Sequence, residues 1–129
     1  MKSRILIKWG ESALEAELLD TPTSRALLAA LQIESTANTW GDEVYFEVPI
    51  TVKLEPHAVD VVDPGTICFW VQGSSLALPF GPTPASKGNE CRLVTRVNVL
   101  GRLIGDAKAL KSVRNGTRIC VMRAAAPRP

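Results

Sequence analysis

Asp63-Pro64-Gly65-Thr66-Ile67-Cys68-Phe69-Trp70-Val71-Gln72-Gly73-Ser74-Ser75-Leu76-Ala77-Leu78-Pro79-Phe80-Gly81-Pro82-Thr83-Pro84 sets two apolar runs between three turn signals. Pro64-Gly65, Gly73-Ser74-Ser75 and Gly81-Pro82-Thr83-Pro84 each mark a place where the chain reverses or leaves a sheet. The runs between them, Thr66 to Gln72 and Ser75 to Phe80, are short, apolar and bounded by turn residues, so they predict two buried strands.

On the amino side, Arg4 to Trp9 alternates, with Ile5, Ile7 and Trp9 on one face and Arg4, Leu6 and Lys8 on the other. Gly10-Glu11-Ser12 offers a tight turn to a hairpin partner, Ala13 to Leu19. The period then changes. Thr21-Pro22 puts a capping residue before a proline at the first helical position, and Arg25 to Leu31 continues with strong helix formers whose Leu27, Leu28 and Leu31 form a stripe able to plug a sheet. Glu34 to Asn38 is expected as a polar connector. Trp40 to Pro49 alternates again, Val44, Phe46 and Val48 opposing Glu43, Tyr45 and Glu47, and Pro49 stops that strand.

On the carboxyl side, Thr83 to Glu90 reads as a polar loop and Cys91 to Leu103 as a long strand bent or bulged at Gly101. Asp106 to Val113 predicts a short second helix, Asn115-Gly116 a turn, and Thr117 to Arg123 the last strand. Ala124 to Pro129 has nothing to pack and is expected to fray. The expected fold class is all-β: a closed β-barrel of about eight strands, with one helix after the first hairpin and a short second helix. An open sandwich is the alternative. Residues 1–123 are expected to form one domain.

The 129 residues, 46% of them hydrophobic, suffice for one domain with a sizeable core. The basic amino end is interrupted by Lys8 before it attains signal-peptide length, and no segment approaches the roughly 20 apolar residues that span a bilayer. A cytoplasmic protein with no membrane partner is expected. Cys68, Cys91 and Cys120 are odd in number and lack C-x-x-C spacing, which fits buried thiols. Charge is uneven: residues 1–63 carry five Lys or Arg against eleven Asp or Glu, and residues 64–129 carry ten against two. Pairing between acidic and basic strands explains this more simply than a nucleic-acid surface, because no recognition helix, zinc finger or aromatic RNA platform accompanies the basic half.

The chain has three Trp, one Tyr and three Phe, and several cluster in two stretches. Trp40, Glu43, Tyr45 and Glu47, with Phe46 beside them, can be joined by Phe69, Trp70 and Phe80. Aromatic walls with a few convergent polar groups are what a small-ligand pocket needs. The ligand-binding candidates are therefore Trp40, Glu43, Tyr45, Glu47, Phe69 and Phe80. The competing assignment makes Phe46, Phe69 and Phe80 core plugs and leaves Trp40 and Tyr45 as a roof. Glu43 and Glu47 lie about 13 Å apart along an extended strand, too far for a cooperating acid and base, so a solvated face is expected for them, with the orienting of a ligand by one of them as the alternative. His57, the single histidine, follows Glu55-Pro56 in a loop and is expected to be exposed, so no metal site is expected. Gly81 to Pro84 is either a rigid flank to a ligand or a strand terminator. No Gly-x-x-x-x-Gly-Lys, Gly-x-Ser-x-Gly or Gly-x-Gly-x-x-Gly occurs, so no cofactor is expected and no catalytic residue is assigned.

At Trp40 to Pro49, at Pro64-Gly65 through Phe80-Gly81-Pro82-Thr83-Pro84, and at Val97-Asn98-Val99-Leu100-Gly101-Arg102, the chain resembles a family of small bacterial and archaeal cyclophilin-like proteins of unassigned function. The resemblance extends over residues 4–123 and includes Thr21-Pro22-Thr23 and Gly105-Asp106. It implies a cyclophilin-like β-barrel closed at its ends by helices. Cyclophilins proper are peptidyl-prolyl isomerases that use an arginine beside an aromatic, amide-lined groove. That chemistry eases rotation over a barrier of about 18–20 kcal/mol. This chain carries Glu43, Tyr45 and Glu47 where the resemblance would place the arginine and its aromatic neighbour. The expectation is a binding module for a small molecule or peptide segment, without efficient isomerase activity. A residual isomerase and a domain that acts within an assembly are the alternatives.

Overall fold

Cys68 pairs with Ala77, Phe69 with Leu76 and Trp70 with Ser75, so the two apolar runs are adjacent antiparallel strands. A computed structural model describes residues 3–124. The strands are β1 (Ser3–Trp9), β2 (Ser12–Leu18), β3 (Ile33–Thr36), β4 (Asn38–Thr39), β5 (Glu43–Glu47), β6 (Val59–Val62), β7 (Thr66–Trp70), β8 (Ser75–Pro79), β9 (Cys91–Ile104) and β10 (Arg118–Arg123). Helix α1 spans Pro22–Ala30, and the short second helix, Ala107–Ser112, is a 3-10 helix. The ladder runs β3-β10-β1-β2-β9-β7-β8-β5-β4, with β6 attached to β9. No helix among the described residues is long and apolar enough to cross a membrane.

The mainly-β expectation holds, with one correction: hydrogen bonding does not close the barrel. The two ends of the ladder, β3 and β4, are consecutive pieces of chain separated only by Ala37. Ala37 is fully buried; its N–H donates to the Thr117 carbonyl at 2.8 Å, and its carbonyl accepts from Gly116 N–H at 2.9 Å. The Ser35 hydroxyl reaches across to the Glu47 carbonyl at 2.7 Å. The segment expected as a polar connector is thus mostly strand. Backbone pairing with β10 and β5 needs no apolar side chains, so Glu34, Thr36 and Asn38 stay exposed.

Inside the sheet, Ile5, Ile7, Leu18, Phe46, Ile67, Phe69, Leu76, Leu78 and Val121 share one core. Helix α1 begins as the sequence predicts, with the Thr21 hydroxyl accepting from Ser24 N–H at 3.0 Å and proline in the first turn. Its buried face is Thr23, Ser24 and Leu27; Leu28 and Leu31 are only half-buried. The two hydroxyls are tolerated because each is bonded. Ser24 donates to the Leu100 carbonyl at 3.2 Å, Thr23 donates to the Glu55 carboxylate, and Asn98 Nδ2 donates to Thr23 Oγ1 at 2.9 Å. Asn98, itself fully buried, also donates to the Lys53 carbonyl and accepts from Glu55 N–H. This network fastens the helix, the loop before β6 and the middle of β9 together.

Ion pairs join the acidic and basic parts of the chain: Arg92 to Asp60 at 2.9 Å between β9 and β6, and Arg118 to Glu34 at 3.4 Å between β10 and β3. Cys68 and Cys91 are buried thiols, whereas Cys120 is half-buried. His57 is exposed. Ala124 N–H donates to the Arg4 carbonyl at 3.1 Å, so the expected fraying does not reach Ala124. Residues 125–129, like Met1 and Lys2, lie outside the described residues.

The bulge expected at Gly101 is present. Ile67 pairs with Gly101 but Cys68 pairs with Val99, leaving Leu100 as an extra residue on β9. A Cβ on Gly101 would lie 2.0 Å from the Glu17 carbonyl oxygen and 2.9 Å from the Leu18 Cα. Relief would require moving β2, so Gly101→Ala is expected to cost about 3 kcal/mol. A urea denaturation midpoint matching that of the unsubstituted protein would contradict this account of the bulge.

Candidate functional site

The alternation that sends Val44 and Phe46 inward places Tyr45 on the outer face of the sheet. Tyr45 stands opposite Ala77, and Ala77 stands opposite Cys68. The small Ala77 packs in one cluster with the larger side chains of Tyr45 and Trp70. The amino-terminal half of β9 covers this outer face, and its Leu93 and Val97 pack with Cys68 and Ala77 in a second apolar cluster. A cavity of about 200 Å³ remains, lined by Trp40, Glu43, Tyr45, Trp70, Ala77, Leu93, Val94 and Val97.

Two glycines shape its walls. Gly41, at φ +60°, makes the turn that delivers Glu43 to β5, and a Cβ there would sit 2.8 Å from Pro84 Cδ and 2.9 Å from Thr83 Cα. Backbone hydrogen bonds from Asp42 N–H to the Pro82 carbonyl and from Phe80 N–H to the Asp42 carbonyl clamp this turn to the Gly81–Pro84 loop. That loop therefore supports the site from behind. On the opposite wall, the Trp70 ring lies against Gly73, where a Cβ would fall 2.2 Å from Trp70 Cε3. Trp70 and Tyr45 meet edge to face, with centroids 6.3 Å apart and planes at 88°.

Glu43 is the unusual member. It is only 6% exposed, and its Oε1 has no hydrogen-bond partner among the described residues. Burial raises its pKa to about 7. Burial, and then the Glu43 charge, also push the Cys68 thiol up, so that thiol is not a nucleophile near neutral pH. Cys91 is raised by burial and then by Asp42, Asp63 and Glu43. Among the described residues, no lysine, arginine or histidine lines the cavity. Among the described residues, no cluster of three or more His, Cys, Asp or Glu could hold a metal ion.

Of the six sequence candidates, Trp40, Glu43 and Tyr45 meet around this cavity. Glu47 is exposed at a separate depression with Glu34, Ser35 and Ser74. Phe69 is fully buried in the inner core, and Phe80 is half-buried against it, so neither lines the cavity. The solvated position expected for Glu43 is corrected: its strand face is the outer one, but β9 covers that face. Sequence reasoning missed Ala77, Leu93, Val94 and Val97 as cavity residues. The signal was the Gly101 bulge, because an extra residue reverses which side chains of a strand face each way.

These parts sit on a fold with known relatives. The sequence pattern of the family described as Cyclophilin-like matches residues 2–122. The chain belongs to the cyclophilin-like family. It is similar to a hypothetical protein from Archaeoglobus fulgidus, known from a solution structure, with 38% identity, 95% of each chain covered and a TM-score of 0.81. Among curated proteins, none matches it.

In this cyclophilin-like protein the cavity is apolar apart from Glu43, which can bind or release one proton near neutral pH. The titration has a defined sign. The Glu43 carboxyl rises from 4.5 to about 7 on folding, so the folded protein binds more protons in that window. The favourable contribution is complete below about pH 4.5 and is lost as pH rises through about 7, a change of about 3 kcal/mol. Denaturation of Glu43→Gln should lack this component: relative to the variant, the unsubstituted protein loses stability between pH 5 and pH 8. Parallel pH profiles for the two proteins would contradict the placement of Glu43.

Proposed function

We propose that this cyclophilin-like protein is a binding module for a small molecule and lacks efficient prolyl isomerase activity. The observation that carries the proposal is the cavity framed by Trp40, Tyr45 and Trp70, with the unpartnered Glu43 oxygen at its edge. Buried polar atoms are almost always hydrogen-bonded, so an unpaired one calls for a partner, and a ligand can supply it. The cavity of about 200 Å³ exceeds the ~150 Å³ known to hold benzene and falls below the ~300 Å³ typical of the smallest drug-sized sites. That size favours a compact molecule over an extended peptide segment.

The isomerase alternative has less support. Stabilising a twisted prolyl amide requires a donor aimed at its carbonyl oxygen, and the cavity offers a carboxyl where the cyclophilin resemblance would put an arginine. A protease-coupled assay is expected to show no acceleration above background. Measurable acceleration would restore the enzymatic alternative.

Binding itself is read by tryptophan fluorescence and thermal melting against a panel of small metabolites. A ligand should alter the emission of Trp40 or Trp70 and raise the melting temperature in proportion to its occupancy. Ala77 lines the cavity, so Ala77→Phe should fill it and abolish both responses. A ligand retained at full affinity by this variant binds elsewhere.

A further inference from the structure

We propose that the ligand is a small organic cation, an amine carried on an apolar body, with Glu43 as its counter-ion and the aromatic side chains Trp40, Tyr45 and Trp70 as its walls. The inference rests on the binding-module proposal and gives its ligand a chemical class.

Three observations converge on a positive charge. The first is the Glu43 oxygen, buried within the cavity lining and without a partner among the described residues. A neutral apolar ligand would leave it unpaired, and an anionic ligand would repel it. An ammonium group supplies both the missing donor and the opposite charge. The second is the aromatic wall. Tryptophan and tyrosine faces attract cations within about 6 Å of the ring, most strongly where water is excluded.

The third is the set of surrounding charges. Asp42 lies in the Gly41 turn beside Glu43, and Asp63 precedes β7; both act with Glu43 on the Cys91 thiol of β9. The other titratable groups packed there are Tyr45 on β5 and Cys68 on β7. None of these groups can supply a positive charge. The arginines of the covering strand are already directed elsewhere. Arg92 is held by Glu90 at 2.7 Å and Asp60 at 2.9 Å, while Arg96 Nε donates to the Ala58 carbonyl at 3.3 Å. Among the described residues Glu43 is the one charged side chain lining the cavity, and the cation is left for the ligand to bring. Because the Glu43 carboxyl titrates near neutrality, cation binding at pH 7 should also expel its proton.

The test compares three probes of the same ring size on the full chain: benzylamine, benzyl alcohol and benzoate. Titration calorimetry at pH 8 should show benzylamine binding about tenfold more tightly than benzyl alcohol, with benzoate weakest. Glu43→Gln should remove the amine's advantage, bringing benzylamine and benzyl alcohol to similar affinities, since the counter-charge is lost while the aromatic walls are unchanged. At pH 7, calorimetry in buffers of different ionisation enthalpy should register proton release for benzylamine and none for benzyl alcohol.

Equal or tighter binding of the alcohol or benzoate overturns the cation assignment while the binding-module proposal stands. The same holds if an uncharged panel compound binds and benzylamine does not. An amine preference that survives in Glu43→Gln removes Glu43 as counter-ion. If nothing binds, neither the three probes nor the wider panel, both proposals fall. The comparison among probes needs only the unsubstituted protein, so it remains decisive even if the variant does not fold.

Discussion

Leu100 has no partner of its own on β7, and the two halves of β9 face opposite ways because of it. Beyond the bulge, Leu103 points into the barrel core; before it, Leu93 and Val97 point to the outer cluster. With strict alternation, Leu93 and Val97 would share a face with Leu103, and the outer face of β5, β8 and β7 would lose its cover. The extra residue is also an anchor. Its carbonyl accepts from Leu19 N–H at 2.7 Å and from the Ser24 hydroxyl at 3.2 Å, tying the end of β2 and helix α1 to the same point. One inserted residue thus lets a single strand serve as barrel wall and as lid.

The second apolar cluster follows from this arrangement. Most small barrels have a single inside, and the outer face of each strand meets water. Here Cys68 and Ala77 are buried on the outer side as completely as Phe69 and Leu76 are on the inner side. That explains why both runs around Gly73 are apolar throughout rather than alternating: each strand is covered on both faces. It also explains how Glu43 becomes buried while occupying an outward position.

Local order was legible from sequence wherever it depended on nearby residues. The Thr21-Pro22 cap, the Gly10 hairpin, the β5 alternation and the Gly101 bulge all arise within a few positions of the residues that signal them. What was not legible depended on residues far apart in sequence. Glu34 to Asn38 looked like a connector because its side chains are polar, yet its backbone pairs with β10 and β5. Glu43 looked solvated because its own strand says only which face it takes, and Leu93 and Val97 lie some fifty residues further on. The aromatic grouping was half legible. Trp40 and Tyr45 share the cavity, whereas Phe69, adjacent to Trp70, turns to the opposite face as period-two geometry requires.

The seating of Trp70 on Gly73 bears on selectivity. An indole with no side chain beneath it rests directly on backbone, and the Tyr45 ring meets it at nearly a right angle. Such a ring has little rotamer freedom left to lose when a ligand arrives, and equally little room to retreat. In the proposed binding role the wall would act as a fixed gauge of ligand width. A homologue one methylene larger would be refused or would displace the covering strand, a discrimination worth roughly 1–3 kcal/mol per methylene.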